Sequence, residues 1–231
     1  MDEANSRLGA LQQGIRAMGP ILIGVVPFGL VVGVAGAKAG MGAAGSLLMS
    51  LVVLAGASQL AAMELFAQQA PLAIVVGTGL IINLRFLMYS ASLAPQFATR
   101  SLGTKAVLAY LLTDQAYALS INRFRGGYPD ALKSWFYVGA GTTLLVVYCV
   151  FTVIGGLLGA GLPPDLNLEF AVPLTFMALL VPVVRDSSDL VAAVVSASVA
   201  VVCFRLPYNL WIMAGAVSGI AAGFMAGKRA Q

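Results

Sequence analysis

Histidine is absent from the sequence, and charged residues are scarce. Without histidine the chain cannot form a Ser-His-Asp triad, ligate haem through an imidazole or build most kinds of zinc site. Aspartate, glutamate, lysine and arginine make up 10% of the 231 residues, whereas 60% are hydrophobic. A soluble protein could not cover so much apolar surface with polar groups. The composition therefore predicts a membrane protein and excludes much of enzyme chemistry.

Other features that would indicate an enzyme are missing too. The two cysteines, Cys149 and Cys203, lie in apolar stretches and lack the spacing of a metal site or a CxxC motif. There is no Gly-x-x-x-x-Gly-Lys-Ser/Thr sequence for ATP and no carboxylate-rich motif for divalent metals. We therefore predict no enzymatic activity, no catalytic residue, no metal and no cofactor. The net charge of +4 indicates membrane orientation and contact with lipid headgroups, not nucleic-acid binding.

Long apolar runs dominate the chain, and its mean hydropathy is +0.93. A helix needs about 20 apolar residues to cross a hydrocarbon core of roughly 30 Å. The sequence thus predicts an all-α, polytopic transmembrane bundle, a single domain over residues 1–231 with about eight spans, or about seven as the alternative. We interpret residues 16–39 as part of the first span, not as a cleaved signal peptide. The predicted spans are 18–37, 41–66, 71–93, 104–121, 134–160, 170–184, 188–204 and 208–226.

Charges in the loops predict how these spans are oriented. Arg123, Arg125 and Lys133 cluster before the fifth span, whereas the loop at 161–169 carries acids and neither lysine nor arginine. The positive-inside rule places the basic cluster in the cytoplasm and the acidic loop outside. Counting spans outward from these two loops makes the N-terminal segment 1–17 and the tail 227–231 cytoplasmic as well.

One loop disagrees with this count. Residues 95–105 would lie outside although they include Arg100 and Lys105. Either this loop is a tolerated exception, or a neighbouring segment is re-entrant and the count is wrong by one.

Short sequence matches suggest an inverted repeat. Val26-Pro27-Phe28 in the first span resembles Val172-Pro173-Leu174 in the sixth, and Asn83-Leu84 in the third resembles Asn209-Leu210 near the eighth. Both pairs are five predicted spans apart, and an odd offset inverts the second copy relative to the first. Many secondary transporters are built in this way.

Two apolar segments contain sequences that favour a broken helix. In Gly24–Gly29, Pro27 removes a backbone donor and the flanking glycines permit unwinding, although a plain proline kink is the alternative. The second is Ala55–Leu60, with Ser58 and Gln59, followed by Glu64. A glutamate at membrane depth costs about 3 kcal/mol or more unless it is paired. Glu64 therefore marks a pathway, or else it lies near the interface and reaches the headgroups.

Two further segments place opposite charges inside apolar runs. Arg85, two residues after Asn83, cannot lose its charge and must find a carboxylate, backbone carbonyls or a wet cavity. Asp114 is its natural partner and Glu64 the competitor. The acid left unpaired would bind a substrate ammonium or exchange protons. The candidate substrate-binding residues are therefore Pro27, Phe28, Ser58, Gln59, Glu64, Asn83, Arg85 and Asp114.

The ordered set of motifs resembles one known family. The Val-Pro-Phe-Gly sequence, Gly-Ala-Ser-Gln-Leu, Asn83-Leu84-Arg85 followed by Tyr89, Thr113-Asp114-Gln115 and the Ala-Leu-Leu-Val-Pro sequence at 178–182 are similar to the AzlC/YgaZ family. That family comprises large subunits of branched-chain amino acid exporters, and the resemblance runs from about residue 14 to residue 223. One departure is Phe86. Many members have a sequence that resembles Asn-Leu-Arg-His, with histidine at the position of Phe86 in this chain.

The resemblance implies a bacterial inner-membrane (plasma-membrane) complex that exports valine, leucine, isoleucine or methionine together with a small AzlD-type membrane subunit. We therefore expect a secondary transporter subunit, coupled to an ion through the unpaired acid. The substrate carboxylate would lie on amides near Pro27 and Ser58 or near Arg85. Its apolar side chain would contact Phe28, Met63, Phe86 or Met88. The alternatives are a passive channel for a small solute and a structural or sensory membrane subunit that transports nothing.

Overall fold

A computed structural model describes residues 6–161, 184, 186–206 and 210–229 of the chain. These residues divide into two compact units, which are described separately. Unit 1 contains Met1–Gln59 and Asn83–Gly161, and unit 2 contains Leu60–Ile82 and Leu162–Gln231. Within the described ranges there are helices and turns but no β-strand, which confirms the predicted all-α class. The single-domain assignment stays a prediction.

The helices, in chain order, are α1 (Arg7–Lys38), α2 (Gly42–Val52), α3 (Gly56–Ala67), α4 (Leu72–Asn83), α5 (Arg85–Leu93), α6 (Leu102–Tyr110), α7 (Asp114–Arg125), α8 (Asp130–Ala160), α9 (Ser187–Val202) and α10 (Leu210–Arg229). A single turn of 3-10 helix, Ala94–Phe97, follows α5. The predicted sixth span, 170–184, lies outside the described residues except for its last position. Val172-Pro173-Leu174, the 178–182 motif and Asn209 also lie outside them, so the inverted repeat stays a prediction.

Three helical segments in the described ranges are long and apolar enough to cross a membrane. They are Arg7–Lys38, Leu72–Phe97 and Asp130–Ala160. Shorter apolar helices cover Gly42–Val52, Ser187–Val202 and Met213–Gly227. These lengths and compositions are those of a membrane protein, whereas the predicted count of about eight spans is not confirmed.

Helix α1 continues without a break through Pro27, so the predicted broken helix at this position is wrong. The reason is the long contact between α1 and α8, the most extensive one in unit 1. Glycines let the two backbones approach closely: Gly14 and Gly33 of α1 lie against the backbone of α8, and Gly139 and Gly155 of α8 lie against that of α1. Such close packing holds both helices together where lipid provides no hydrophobic force between them.

Three other apolar segments are interrupted. Residues Val53–Ala55 separate α2 from α3, Leu84 separates α4 from α5, and Leu111–Thr113 separate α6 from α7. The first interruption confirms the break predicted beside Ser58. The other two occur next to Arg85 and Asp114, the two charges found inside apolar runs.

Helices α6 and α7, joined by Leu111–Thr113, form a hairpin that begins and ends at one end of unit 1. We call the end of unit 1 that holds the start of α8 the basic end. Arg100, just before α6, donates a hydrogen bond to the carbonyl of Asp130, and Gln96 accepts one from Lys133 at 2.7 Å. Arg100 and Gln96 therefore lie at the basic end. The loop after α7 leads directly into α8 and so lies at the same end.

The chain from Leu102 to Arg125 thus enters and leaves at the same end. At about 1.5 Å per residue, the 12-residue α7 is only about 18 Å long, roughly half of a membrane crossing. The structure thus divides the predicted span 104–121 into two short helices, and a membrane crossing by this segment is not confirmed. Residues Gln96 and Arg100 lie at the same end as the basic loop, which matches the alternative of a miscounted neighbouring segment. Hydropathy could not distinguish two half-length apolar helices from one full-length helix.

In unit 2, α9 and α10 pack through small residues. Gly215 and Gly219 of α10 lie against Ser196, and Gly223 lies against Ala192. This spacing of four residues keeps the small side chains on one face of α10.

Candidate functional site

Arg85 and Asp114 pair at the turn of the α6–α7 hairpin. Asp114 is the first residue of α7, and its carboxylate lies 3.2 Å from the Arg85 guanidinium. The hydroxyl of Tyr89 donates a second hydrogen bond to this carboxylate at 2.9 Å. The side chains of Arg85 and Asp114 are 31% and 38% exposed, so the pair lines an accessible space. Asp114, not Glu64, is therefore the acid that pairs with Arg85.

Aromatic contacts fix the direction in which α5 and α7 run. The rings of Tyr89 and Tyr117 stack with centroids 4.3 Å apart, and the Tyr117 hydroxyl donates to Ser92 at 3.1 Å. Phe97 then packs edge-on against Phe124 at the basic end. The two helices are thus parallel, and both begin at the ion pair. Two helix N-termini, which carry partial positive charge, therefore meet there.

Gln59 is fully buried and ties the first interruption together. Its carboxamide lies 3.0 Å from the Ser50 hydroxyl and 2.7 Å from the Tyr148 hydroxyl. In the amide orientation that satisfies both of its ends, the nitrogen also donates to the Val53 carbonyl at 3.1 Å. A carbonyl freed by the break thereby gains a partner inside unit 1. The hydrogen bonds of Gln59 therefore stabilise the interruption between α2 and α3, and its carboxamide is already occupied by protein partners.

Phe28 reaches the same region from α1. Its ring stacks on Tyr148 with centroids 6.3 Å apart. It also covers Gly56, where a Cβ atom would collide with the ring and lie 3.0 Å from the Tyr148 hydroxyl. The glycine at the start of α3 is thus needed for the close approach of this aromatic pair.

Ser58 and Asn83 connect the first two interruptions. The Asn83 amide nitrogen donates to the Ser58 hydroxyl at 3.1 Å, and that hydroxyl donates to the Ala55 carbonyl at 2.9 Å. Two buried atoms on either side of Leu84 find no hydrogen-bond partner among the described residues: the acceptor Asn83 Oδ1 and the donor Arg85 Nε. Buried polar atoms are normally paired, so this orphaned acceptor and donor are an exception that a polar ligand could satisfy. Because both atoms have almost no exposed surface, a ligand would reach them only after neighbouring groups move.

Pro27 and Glu64 have surroundings unlike those of the other predicted site residues. Pro27 is exposed on α1 and neighbours no break in the helix, so its role in substrate binding stays a prediction. Glu64 is exposed too, and it accepts a hydrogen bond from the Gln68 amide at 2.8 Å near the end of α3. This environment matches the alternative in which Glu64 reaches the membrane interface. Of the residues predicted for the apolar pocket, Met88 is also exposed.

An apolar cavity of about 240 Å³ lies beside the interruption between α6 and α7. Leu112, two residues before Asp114, forms part of its wall, together with Leu93, Phe97 and Tyr137. The Tyr137 hydroxyl, buried at this wall, lacks a hydrogen-bond partner in the described part of the chain. The cavity was not predicted, because its walls come from three helices whose packing is not visible in any one segment.

Sequence reasoning also missed Tyr148 and Ser50, whose hydroxyls hold Gln59. The sequence signal that could have identified these two residues was a hydroxyl group inside an apolar run. No cluster of three or more acidic, cysteine or histidine side chains that could hold a metal occurs in the described ranges. The arrangement therefore offers polar and charged hydrogen-bonding groups, a paired arginine and an adjacent apolar cavity.

The comparisons with known proteins agree with this picture. The model of the family described as AzlC protein matches residues 20–162, which include every helix from α2 to α8. The chain is 27% identical over 220 residues to an uncharacterized membrane protein of Archaeoglobus fulgidus, covering 93% of this chain and 94% of that protein. It is 27% identical over 215 residues to the inner membrane protein YgaZ of Escherichia coli, with 90% and 86% covered.

A third relative, an uncharacterized membrane protein of Helicobacter pylori, is 29% identical over 191 residues, with 80% of this chain and 81% of that protein covered. No solved structure matches the chain. Together with the apolar helices, these relatives show that the chain is an all-helical membrane protein.

Proposed function

Because the chain belongs to the AzlC protein family, we propose that it is a secondary transporter subunit that exports branched-chain or similar apolar amino acids across the plasma membrane. It is not an enzyme in this proposal, and a small AzlD-type membrane subunit is its partner. The observation that carries the proposal is the orphaned acceptor and donor that flank Leu84.

These two atoms complement the two charged groups of an amino acid. The α-ammonium would donate to Asn83 Oδ1, and the α-carboxylate would accept from Arg85 Nε, near the middle of the segment Leu72–Phe97. Helix interruptions that expose polar backbone near the middle of a span are the usual material of transporter sites. The N-termini of α5 and α7 add favourable potential for the carboxylate.

The side chain of the substrate would enter the apolar cavity next to Leu112. Most of this cavity wall is aliphatic or aromatic, with Ser90 and Lys105 as its polar members, which favours a branched hydrocarbon group over a polar one. A substrate with a cationic side chain would lose its hydration there and meet the like charge of Lys105.

Coupling to protons would use the Asp114 carboxylate. The substrate ammonium has three N–H groups and would donate to this carboxylate as well as to Asn83 Oδ1. A proton would compete with it for the carboxylate, so protonation from the far side would release the substrate and drive antiport. Because Arg85 already pairs with Asp114, substrate binding would exchange one set of charged partners for another without leaving a bare charge in the membrane.

Counterflow of radiolabelled leucine in proteoliposomes tests this function. We expect saturable uptake that unlabelled valine and isoleucine compete, with flux requiring the small subunit or rising when it is present. A flux that neither saturates nor responds to a proton gradient would indicate a passive channel. No flux in either preparation would leave the structural-subunit alternative and contradict the proposal.

The topology of the proposed transporter follows from unit 1. Residue Ala43 of α2 packs on Gly156 near the far end of α8, whereas Phe97 lies at the basic end. The chain between Ala43 and Phe97 contains the predicted spans 41–66 and 71–93. Two full spans would bring the chain back to the end of unit 1 where it started, yet it finishes at the opposite end, so one of the two must be re-entrant. With the α6–α7 hairpin also re-entrant, we propose six crossings, with both termini and residues 95–105 in the cytoplasm.

Cysteine labelling tests this topology. In a variant with Cys149 and Cys203 replaced by alanine, Thr99→Cys at the basic end should react with a membrane-impermeant maleimide only after the cells are permeabilised. Ala39→Cys, just after α1, is the matched control and should react in intact cells. Labelling of the Thr99→Cys protein in intact cells would contradict the six-crossing topology.

A further inference from the structure

Two adjoining cavities open at the basic end of unit 1, away from the site around Arg85. Their volumes are about 460 and 430 Å³, and they lie between α1, α7 and the loop that leads into α8. Three residues line both of them: Gln13, Asn122 and Arg123. Neither the family comparison nor the proposed transport uses these cavities.

The two cavities differ in chemistry. The first has polar walls, which include the Asn122 amide and the Tyr128 hydroxyl beside the backbone of Gly126 and Gly127. The second has Arg16 at its edge and a largely apolar wall of Ala17, Leu119 and Phe136. In the part of the chain that the structure describes, no carboxylate lines either cavity. Together they form an amphipathic recess with two arginines at its junction.

Arg123 is held in place but keeps donors to spare. Its guanidinium lies 5.1 Å from the centre of the Tyr128 ring, and one nitrogen donates to the Gln13 side-chain oxygen at 3.3 Å. The Tyr128 hydroxyl donates to the same oxygen at 3.1 Å. A guanidinium carries five N–H groups, so most of those of Arg123 remain available to a ligand.

The neighbouring charges leave the recess positive. Arg16 makes no hydrogen bond or ion pair with the described residues, and Asp130, the first acid after the α7–α8 loop, is paired with Lys133. Partial burial raises the pKa of Tyr128, so its hydroxyl stays protonated at neutral pH. Among the described residues, an anionic ligand would therefore meet two arginines and no competing carboxylate.

We propose that this recess binds one anionic phospholipid of the cytoplasmic leaflet. Its phosphate would lie between Arg16 and Arg123, its headgroup in the polar cavity, and the start of an acyl chain along Leu119 and Phe136. Basic pockets between helices on the cytoplasmic side are suited to anionic headgroups. The apolar wall favours a lipid over free phosphate, which would leave that wall in contact with water.

Lipid retention by the whole purified protein tests the proposal. The protein in detergent is mixed with phosphatidylglycerol or with phosphatidylcholine, and bound lipid is counted by native mass spectrometry. We expect one phosphatidylglycerol per chain, and about a tenfold or greater loss of its affinity in the double variant Arg16→Gln/Arg123→Gln. Arg125→Gln is the matched control, because Arg125 is exposed, lies two residues away on α7 and lines neither cavity.

Three other results of this experiment would contradict the proposal. An equal loss in the Arg125→Gln variant would indicate general surface charge, and equal retention of phosphatidylcholine would remove the anionic preference. Displacement of phosphatidylglycerol by millimolar glycerol phosphate would indicate a site for a soluble phosphate ester. The double variant must keep the wild-type elution volume and melting temperature. If it does not, Arg16→Lys/Arg123→Lys, which keeps both charges, should retain the lipid, and its failure to do so would overturn the proposal.

Discussion

Replacement of Arg85 by alanine should reduce leucine counterflow by about 100-fold or more, because it strands Asp114 and removes the donor proposed for the substrate carboxylate. A lone carboxylate at membrane depth carries a penalty of about 3 kcal/mol, so in this variant Asp114 would take up a proton instead. A protonated Asp114 could no longer hold an ammonium or couple to a gradient.

Three further variants separate transport from folding. Arg85→Lys keeps the positive charge but lacks the Nε–H group, so we expect a folded protein with a raised KM for leucine. The double variant Arg85→Gln/Asp114→Asn removes both charges together and should stay folded but inactive. Arg125→Ala, at the exposed end of α7, should transport as the wild type does. Normal counterflow by Arg85→Ala would remove the ion pair from the mechanism.

Gly33→Ala should destabilise the protein by about 1 to 3 kcal/mol, although alanine is the better helix former. A Cβ atom at this position would overlap the Thr152 carbonyl oxygen and lie within 2.8 Å of Gly155. Both obstacles are backbone of α8, which cannot move aside as a side chain can. The change in free energy is measured by reversible denaturation of the purified protein in detergent.

Gly24→Ala, in the same helix, is the matched control for Gly33→Ala. No atom lies within 4 Å of the position where its Cβ would be built. The substitution should leave stability unchanged or raise it by up to about 1 kcal/mol, as expected for a helical glycine without a packing role. Equal effects of the two substitutions would contradict the close α1–α8 contact that keeps α1 continuous past Pro27.

Electrostatics made part of the site predictable. Arg85 cannot be neutralised in an apolar run, so the sequence required a partner, with Asp114 as the natural choice and Glu64 as the competitor. The break beside Ser58 was also predicted correctly, because a small polar cluster follows a glycine there. The contact of Ser58 with Asn83, across 25 residues of sequence, depends on packing that no single segment reveals.

The errors have the same origin. Pro27 favoured a broken helix on local grounds, yet glycine packing between α1 and α8 keeps the helix continuous. Residues 104–121 have the apolar length of a span, but they form two short helices of 9 and 12 residues, separated by Leu111–Thr113. In each case tertiary contacts decided between two structures that one sequence pattern allows.

The proposed site faces its most direct test in equilibrium binding of radiolabelled leucine to the purified protein and to its Asn83→Leu variant. Leucine at this position keeps the size of the side chain but removes the orphaned acceptor. Saturable binding by the wild type and by Glu64→Gln, with binding lost in Asn83→Leu, is the result that we predict. Unchanged binding by a folded Asn83→Leu protein, or no binding by the wild type, would contradict an amino-acid site at the helix interruptions of unit 1.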